Sequence, residues 1–131
     1  MTQALFDTRP RIAGASIPEQ SLGARQDVLK ATVEAAVSVV FGVDVARLQG
    51  VSRGQAHVAQ ARQVAMYLAH CAFGLSHTEV GRIFDRDRTT VAHACHLVED
   101  RRDDASFDRT LANLEEIVAR LAAISGLPRE V

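Results

Sequence analysis

The sequence predicts an all-α domain of about six helices arranged around a helix-turn-helix. Apolar residues recur three and four apart through every long segment, and strand-like alternation is missing. Aromatic residues make up 5% of the chain and there is no Trp, so Ala, Val and Leu must fill the core. Small aliphatic side chains suit closely packed helices better than a β-sandwich. With 131 residues, 47% of them hydrophobic, there is material for one core.

The elements follow in order. Residues 1–23 hold Pro10, Gly14, Pro18 and Gly23 without a sustained period and read as a flexible arm. The domain proper is expected over 24–124, with 125–131 as a tail. A first helix spans Gln26–Phe41, with Val28, Leu29, Val33, Ala36, Val37, Val40 and Phe41 on one face. Gly42 stops it. Asp44 caps a short helix that runs through Leu48. A loop from Gln49 to Val58 contains Gly50 and Gly54. Ala59–Phe73 has no Gly, Pro or Asn inside it and ends at Gly74. Ser76 and Glu79 have the capping-box spacing, which predicts a helix from about His77 to Phe84. Asp85-Arg86 is a tight break, and the next helix runs from Arg86 or Asp87 to about Arg102. Ser106 is expected to cap a last helix with Phe107, Leu111, Leu114, Val118, Leu121 and Ile124 in one stripe.

The charge balance limits the function. There are 15 Lys+Arg against 16 Asp+Glu, a net charge of -1. That excludes a polycation that coats nucleic acid by bulk charge. Residues 47–102 nevertheless carry eight arginines against five acids, whereas 103–131 carry three arginines against six acids. A basic middle beside an acidic end is compatible with a nucleic-acid face. The start, MTQALFDTRPRIAG, lacks the basic-then-apolar order of a secretory signal, and no apolar run has bilayer-spanning length. A cytoplasmic, nucleoid-associated protein away from membranes is the expectation. Cys71 and Cys95 lie inside helical patterns and read as free thiols packed as small core residues.

The two short helices around Asp85-Arg86, with Gly81 near the end of the first, form a helix-turn-helix pattern. In such a unit the second helix enters the major groove by its N-terminal end. Arg86, Asp87, Arg88 and Thr89, with His93 one turn on, are therefore the candidate base-reading residues. Arginine donates two hydrogen bonds to guanine, aspartate accepts from cytosine N4, and the threonine methyl packs on the thymine methyl. Free N–H groups at the helix start suit a phosphate. Val91, Ala94, Cys95 and Val98 would face the core.

These residues also carry a family resemblance. Arg62-Gln63-Val64-Ala65-Met66-Tyr67-Leu68-Ala69, then Gly81-Arg82-Ile83-Phe84, then Arg86-Asp87-Arg88-Thr89-Thr90-Val91-Ala92-His93-Ala94-Cys95 resemble the C-terminal DNA-binding domain of the bacterial replication initiator DnaA. The family pattern is RQxAMYLA, a spacer, then GxxFxxRDHTTVxHAC. The resemblance covers roughly residues 25–124 and implies an all-helical, Trp-repressor-like domain that binds the asymmetric DnaA box in double-stranded DNA. It implies base-reading roles at Asp87, Arg88 and Thr89, and places Thr90 and Gln63 near phosphates. Arg53, His57, Arg62, Gln63, Ser76, His77 and Thr90 make up the candidate backbone or minor-groove set.

The departures are specific. The family has His where this chain has Arg88, and arginine prefers guanine. The family's minor-groove arginine aligns with Ala56, leaving Arg53 several residues early. After Cys95 the family's basic residues are replaced by His96 and Leu97. Fewer phosphate contacts mean weaker binding and a flatter salt dependence.

The phosphate-loop pattern GxxxxGK[ST] does not occur, and Lys30, the one lysine, has no glycine-rich loop before it. No ATPase activity, no cofactor and no catalytic constellation is expected. The sequence reads as a sequence-specific DNA-binding regulator of replication initiation or transcription. The alternative is a protein-interaction adaptor on a DnaA-like fold, motivated by the thin basic loop and the near-neutral charge. The last helix, 107–124, has heptad spacing that fits packing on the first helix or a homodimer. Gln3-Ala4-Leu5-Phe6 resembles the short peptides by which replication proteins dock on a sliding clamp, one residue short, so the arm is a candidate contact for a replication protein. His93 and His96 are three apart without a third ligand, so no metal site is expected.

Overall fold

The computed structural model describes residues 19–50 and 56–126. The arm through residue 18, the loop 51–55 with its candidate Arg53, and residues 127–131 lie outside the described residues. The described residues form six helices and no strand: α1 (Glu19–Phe41), α2 (Val45–Gln49), α3 (Ala56–Phe73), α4 (His77–Phe84), α5 (Arg88–Arg101) and α6 (Ala105–Ser125).

α1 starts at Glu19, not at Gln26. Gly23 lies inside it, because one interior glycine costs a helix about 1 kcal/mol and does not end it unaided. The buried stripe is Leu29, Val33, Ala36 and Val37, while Val28 and Val40 are exposed at its edges. Gly42, at φ 67°, ends the helix. The Val43 N–H then closes back on the Ser38 carbonyl at 3.1 Å and its side chain is buried, a Schellman-type stop. Asp44 opens α2 with its backbone carbonyl, and its carboxylate makes no cap bond.

α3 begins at Ala56, one turn before the expected Ala59. Val58 is buried, and the His57 Nε2–H donates to the Phe41 carbonyl at 2.5 Å, which anchors that extra turn. α3 contacts all five other helices and is buried on most of its circumference. Such an all-round apolar helix belongs at the centre of a bundle.

α6 is capped by Asp104 and not by Ser106: the Asp104 carboxylate accepts from the Phe107 N–H at 3.3 Å. The Asp103 and Asp104 N–H groups fold back on Asp100 and Arg101, which brings the cap two residues forward. Leu111, Leu114, Val118 and Ala122 are buried, and α6 packs on α1. Of the stripe considered for a homodimer, Leu111, Leu114 and Val118 are covered within the chain, Phe107 and Leu121 are half-buried, and Ile124 is 82% exposed. Cys95 is buried as expected, whereas Cys71 lies at the surface.

A polar cluster ties the α5–α6 corner to α3. The Tyr67 hydroxyl donates to Glu99 Oε2 at 2.6 Å. The Arg102 guanidinium donates to Asp108 at 2.5 Å, to Glu115 at 3.1 Å and to the Tyr67 oxygen at 3.1 Å. Burial, with the Glu99 bond second, keeps the Tyr67 hydroxyl protonated far above its ordinary range. No helix among the described residues is long and apolar enough to cross a membrane.

Candidate nucleic-acid interface

The turn between α4 and α5 is held by its backbone. Both halves of the capping box form: Ser76 Oγ accepts from the Glu79 N–H at 3.1 Å, and Glu79 accepts from the Ser76 N–H at 2.9 Å. At the other end of α4, Asp85 adopts φ 57°, ψ 52°, the left-handed region that Asp tolerates better than most residues. The Arg86 N–H then bonds the Gly81 carbonyl at 2.8 Å. A Cβ on residue 81 would fall on the Arg86 carbonyl oxygen, so only glycine lets the chain double back here.

This turn sets the rotation of α5. Val91, Ala94, Cys95 and Val98 are buried, against α3 and α4. Arg88, Thr89, Thr90 and His93 are consequently exposed. Asp87 is the N-cap residue, yet its carboxylate makes no bond to the helix start. It accepts instead from the Thr89 hydroxyl at 2.6 Å. The first intrahelical bond runs from Val91 to the Asp87 carbonyl. The N–H groups of Arg88, Thr89 and Thr90 therefore have no cap, and the positive end of α5 faces outward.

Among the described residues, Arg88 has no hydrogen-bond or ion-pair partner. Pairing with Asp85 or Glu79 does not occur, and Glu79 is committed to Ser76. His77 neighbours this arginine and stacks on His70 with ring centroids 4.3 Å apart. Its imidazole is held below the usual His range, first by desolvation, then by repulsion from His70 and Arg88. His70 is itself tied by its Nδ1–H to the Leu75 carbonyl at 2.6 Å. The Ser76 hydroxyl accepts in the capping box and retains its own proton for an outside acceptor. The outward set is thus Ser76, His77, Asp87, Arg88, Thr89, Thr90 and His93: donors for phosphate and guanine, an acceptor for cytosine, and threonine methyls.

Three candidates are placed elsewhere. The Arg86 guanidinium is committed to main-chain carbonyls and donates to those of Phe84 at 3.2 Å, Asp85 at 3.0 Å and Gly50 at 3.2 Å. Arg62 donates to the carbonyls of Leu48 at 2.9 Å and Arg47 at 3.1 Å. Burial, and secondly the nearby Arg86, lower its pKa. His57 is exposed but bonds Phe41. Gln63 is half-buried on α3, and Ala56, at the family's minor-groove position, opens α3 and is exposed. His96 pairs with Asp100 at 3.5 Å, and no group of three metal-ligating side chains occurs among the described residues. Sequence reasoning missed Glu34, which is 3% exposed and bonds Lys30 at 3.4 Å and Gln49 at 2.9 Å. The signal was an acid directly beside buried Val33 in the α1 stripe.

A comparison with protein families matches residues 31–98 to the bacterial dnaA protein helix-turn-helix. The chain belongs to this family. The match includes α4, the turn and most of α5. The DnaA initiator of Mycobacteroides abscessus is 36% identical over 91 residues, covering 70% of this chain and 18% of that protein. DnaA of Desulfotalea psychrophila is 31% identical over 101 residues, covering 76% of this chain and 21% of that protein. The chain thus spans about a fifth of the length of these curated relatives. The crystal structure of a DNA replication initiation factor matches with a TM-score of 0.66 at 31% identity, over 76% of this chain and 30% of that one. The all-helical DnaA-type fold is common to both.

Proposed function

We propose that this protein binds double-stranded DNA sequence-specifically, at a site related to the DnaA box, and regulates replication initiation or transcription without hydrolysing ATP. The observation that carries this reading is the outward end of α5. Arg88, Thr90 and His93 are exposed beside uncapped N–H groups, and their side chains have no internal partner among the described residues. Asp87, Arg88, Thr89 and His93 read bases in this reading. Thr90, Ser76, His77 and Gln63 approach the backbone. A binding preference shifted toward guanine under Arg88 follows from the geometry of a guanidinium on guanine O6 and N7.

Selection of duplexes from a random pool tests the proposal. Enrichment of one motif with a guanine at the Arg88 position supports it. Affinity that is low for every duplex even in dilute salt refutes it, and leaves the chain as an interaction module on a DnaA-like fold.

A further inference from the structure

Arg86 lies in the recognition turn but reaches the other way. Its guanidinium bridges three main-chain carbonyls, two in its own turn and one at Gly50, thirty-six residues earlier. On the same segment of backbone, Arg62 from α3 holds the carbonyls of Arg47 and Leu48. Glu34 from α1, buried, holds the Gln49 side chain at 2.9 Å. Glu34, Arg62 and Arg86 line one small cavity of about 110 Å³ with Gln49. The segment 47–50 is thus gripped from three helices or their turns, and Arg86 links its Gly50 carbonyl directly to the turn before α5.

Carbonyl groups at the end of a short helix need donors, and a guanidinium supplies up to five in a fixed fork. A lysine in place of Arg86 could reach one carbonyl but not bridge turn and segment together. The like charges of Arg62 and Arg86 repel, which lowers the Arg62 pKa behind desolvation. The two guanidiniums stay close because backbone carbonyls satisfy both.

We propose that Arg86 is a positioning residue for DNA recognition. It does not touch DNA; it fixes the α2–Gly50 segment against the turn that aims α5, so that both present a single surface to the duplex. The inference rests on the DNA-binding reading above.

The test uses the full chain and its variants Arg86→Gln and Arg86→Lys, with the duplex preferred by the wild type and a scrambled duplex. Affinities are measured across a salt series, and amide hydrogen exchange is measured without DNA. A positioning role predicts that both variants lose about tenfold in the preferred-to-scrambled ratio. It also predicts that the slope of log affinity against log salt on the scrambled duplex stays as in the wild type. Exchange at the Gly50 amide should rise, with α3 and α6 amides unchanged. A fall in that slope by about 0.9, with the ratio retained, would make Arg86 a phosphate contact and overturn the proposal. So would an unaltered ratio with unaltered exchange at Gly50. Should Arg86→Gln fail to fold, Arg86→Lys, which keeps the charge and loses the fork, decides the matter by the binding ratio and by exchange at Gly50. If the wild type binds no duplex, the functional reading fails, and unchanged exchange at Gly50 in Arg86→Lys would separately remove the clamp.

Discussion

At its C-terminal end α5 runs into a corner where Arg102 meets Asp108 at 2.5 Å, Glu115 at 3.1 Å and the Tyr67 oxygen at 3.1 Å. At its N-terminal end Arg88 meets no acceptor among the described residues. The two arginines are about 20 Å apart along one helix. Arg102 closes a junction between α3, α5 and α6, and its charge is matched inside the fold. Arg88 stands beside uncapped N–H groups and a histidine that its charge helps to keep neutral. Local rules favour acids, not arginine, at a helix start. Side chains that break such a rule without an internal partner concentrate at functional sites, which is what the proposed base-reading role of Arg88 draws on.

The strongest way to break the comparison is to damage the turn on which both ends depend. Gly81→Ala forces a Cβ onto the Arg86 carbonyl, and the backbone must move. A loss of about 3 kcal/mol in unfolding free energy is expected by urea titration, together with loss of sequence preference. A loss within about 0.5 kcal/mol would mean that the turn is far softer than its geometry implies. Arg102→Ala attacks one end alone. It strands Asp108, Glu115 and Glu99–Tyr67 around a partly buried corner, at a cost of about 2 kcal/mol, below the range for fully buried pairs. The preferred-to-scrambled binding ratio should not change. If it does, the two ends are not separable.

Much of this arrangement is legible in the residues themselves. The inner face of α5, Val91, Ala94, Cys95 and Val98, follows from a period of 3.6, and the α4 start follows from Ser76 and Glu79. Both are local patterns. The helix starts at Glu19 and Ala56 and the cap at Asp104 were missed, because Gly23 is only a weak breaker and Asp104 and Ser106 are equally good caps. The roles of Arg62 and Arg86 were not legible at all. Their partners are all main-chain carbonyls, some of them 14, 15 and 36 residues away, and a carbonyl carries no residue-type signature. Composition makes every arginine near a helix-turn-helix look like a DNA ligand; packing leaves Arg88 exposed and commits Arg86 to main-chain carbonyls.

Arg88→Ala is the reverse of the Arg102 experiment. Specific affinity should fall by about 1–3 kcal/mol in a titration with the preferred duplex. Stability should stay within about 0.5 kcal/mol of wild type, since nothing internal is lost. Equal stability and equal affinity would remove Arg88 from the base-reading set.

The smallest effect is a titration. Desolvation first, then His70 and Arg88, hold the His77 imidazole below its ordinary value. The unfolded chain therefore takes up this proton more readily than the folded one. The stability tied to neutral His77 is complete above the unfolded value of about 6.5 and is lost as pH falls through it toward the folded value. Unfolding midpoints should drop between about pH 7.5 and 5.5, and His77→Gln should make that drop shallower. Because Arg88 supplies part of the repulsion, Arg88→Ala should also make it shallower, by less. A profile for His77→Gln that overlays the wild type would show that the reading end of α5 carries no such electrostatic penalty. The proposed backbone contact at His77 predicts the opposite sign for binding: a phosphate beside the ring would favour the imidazolium, so affinity should rise over the pH range where free-protein stability falls.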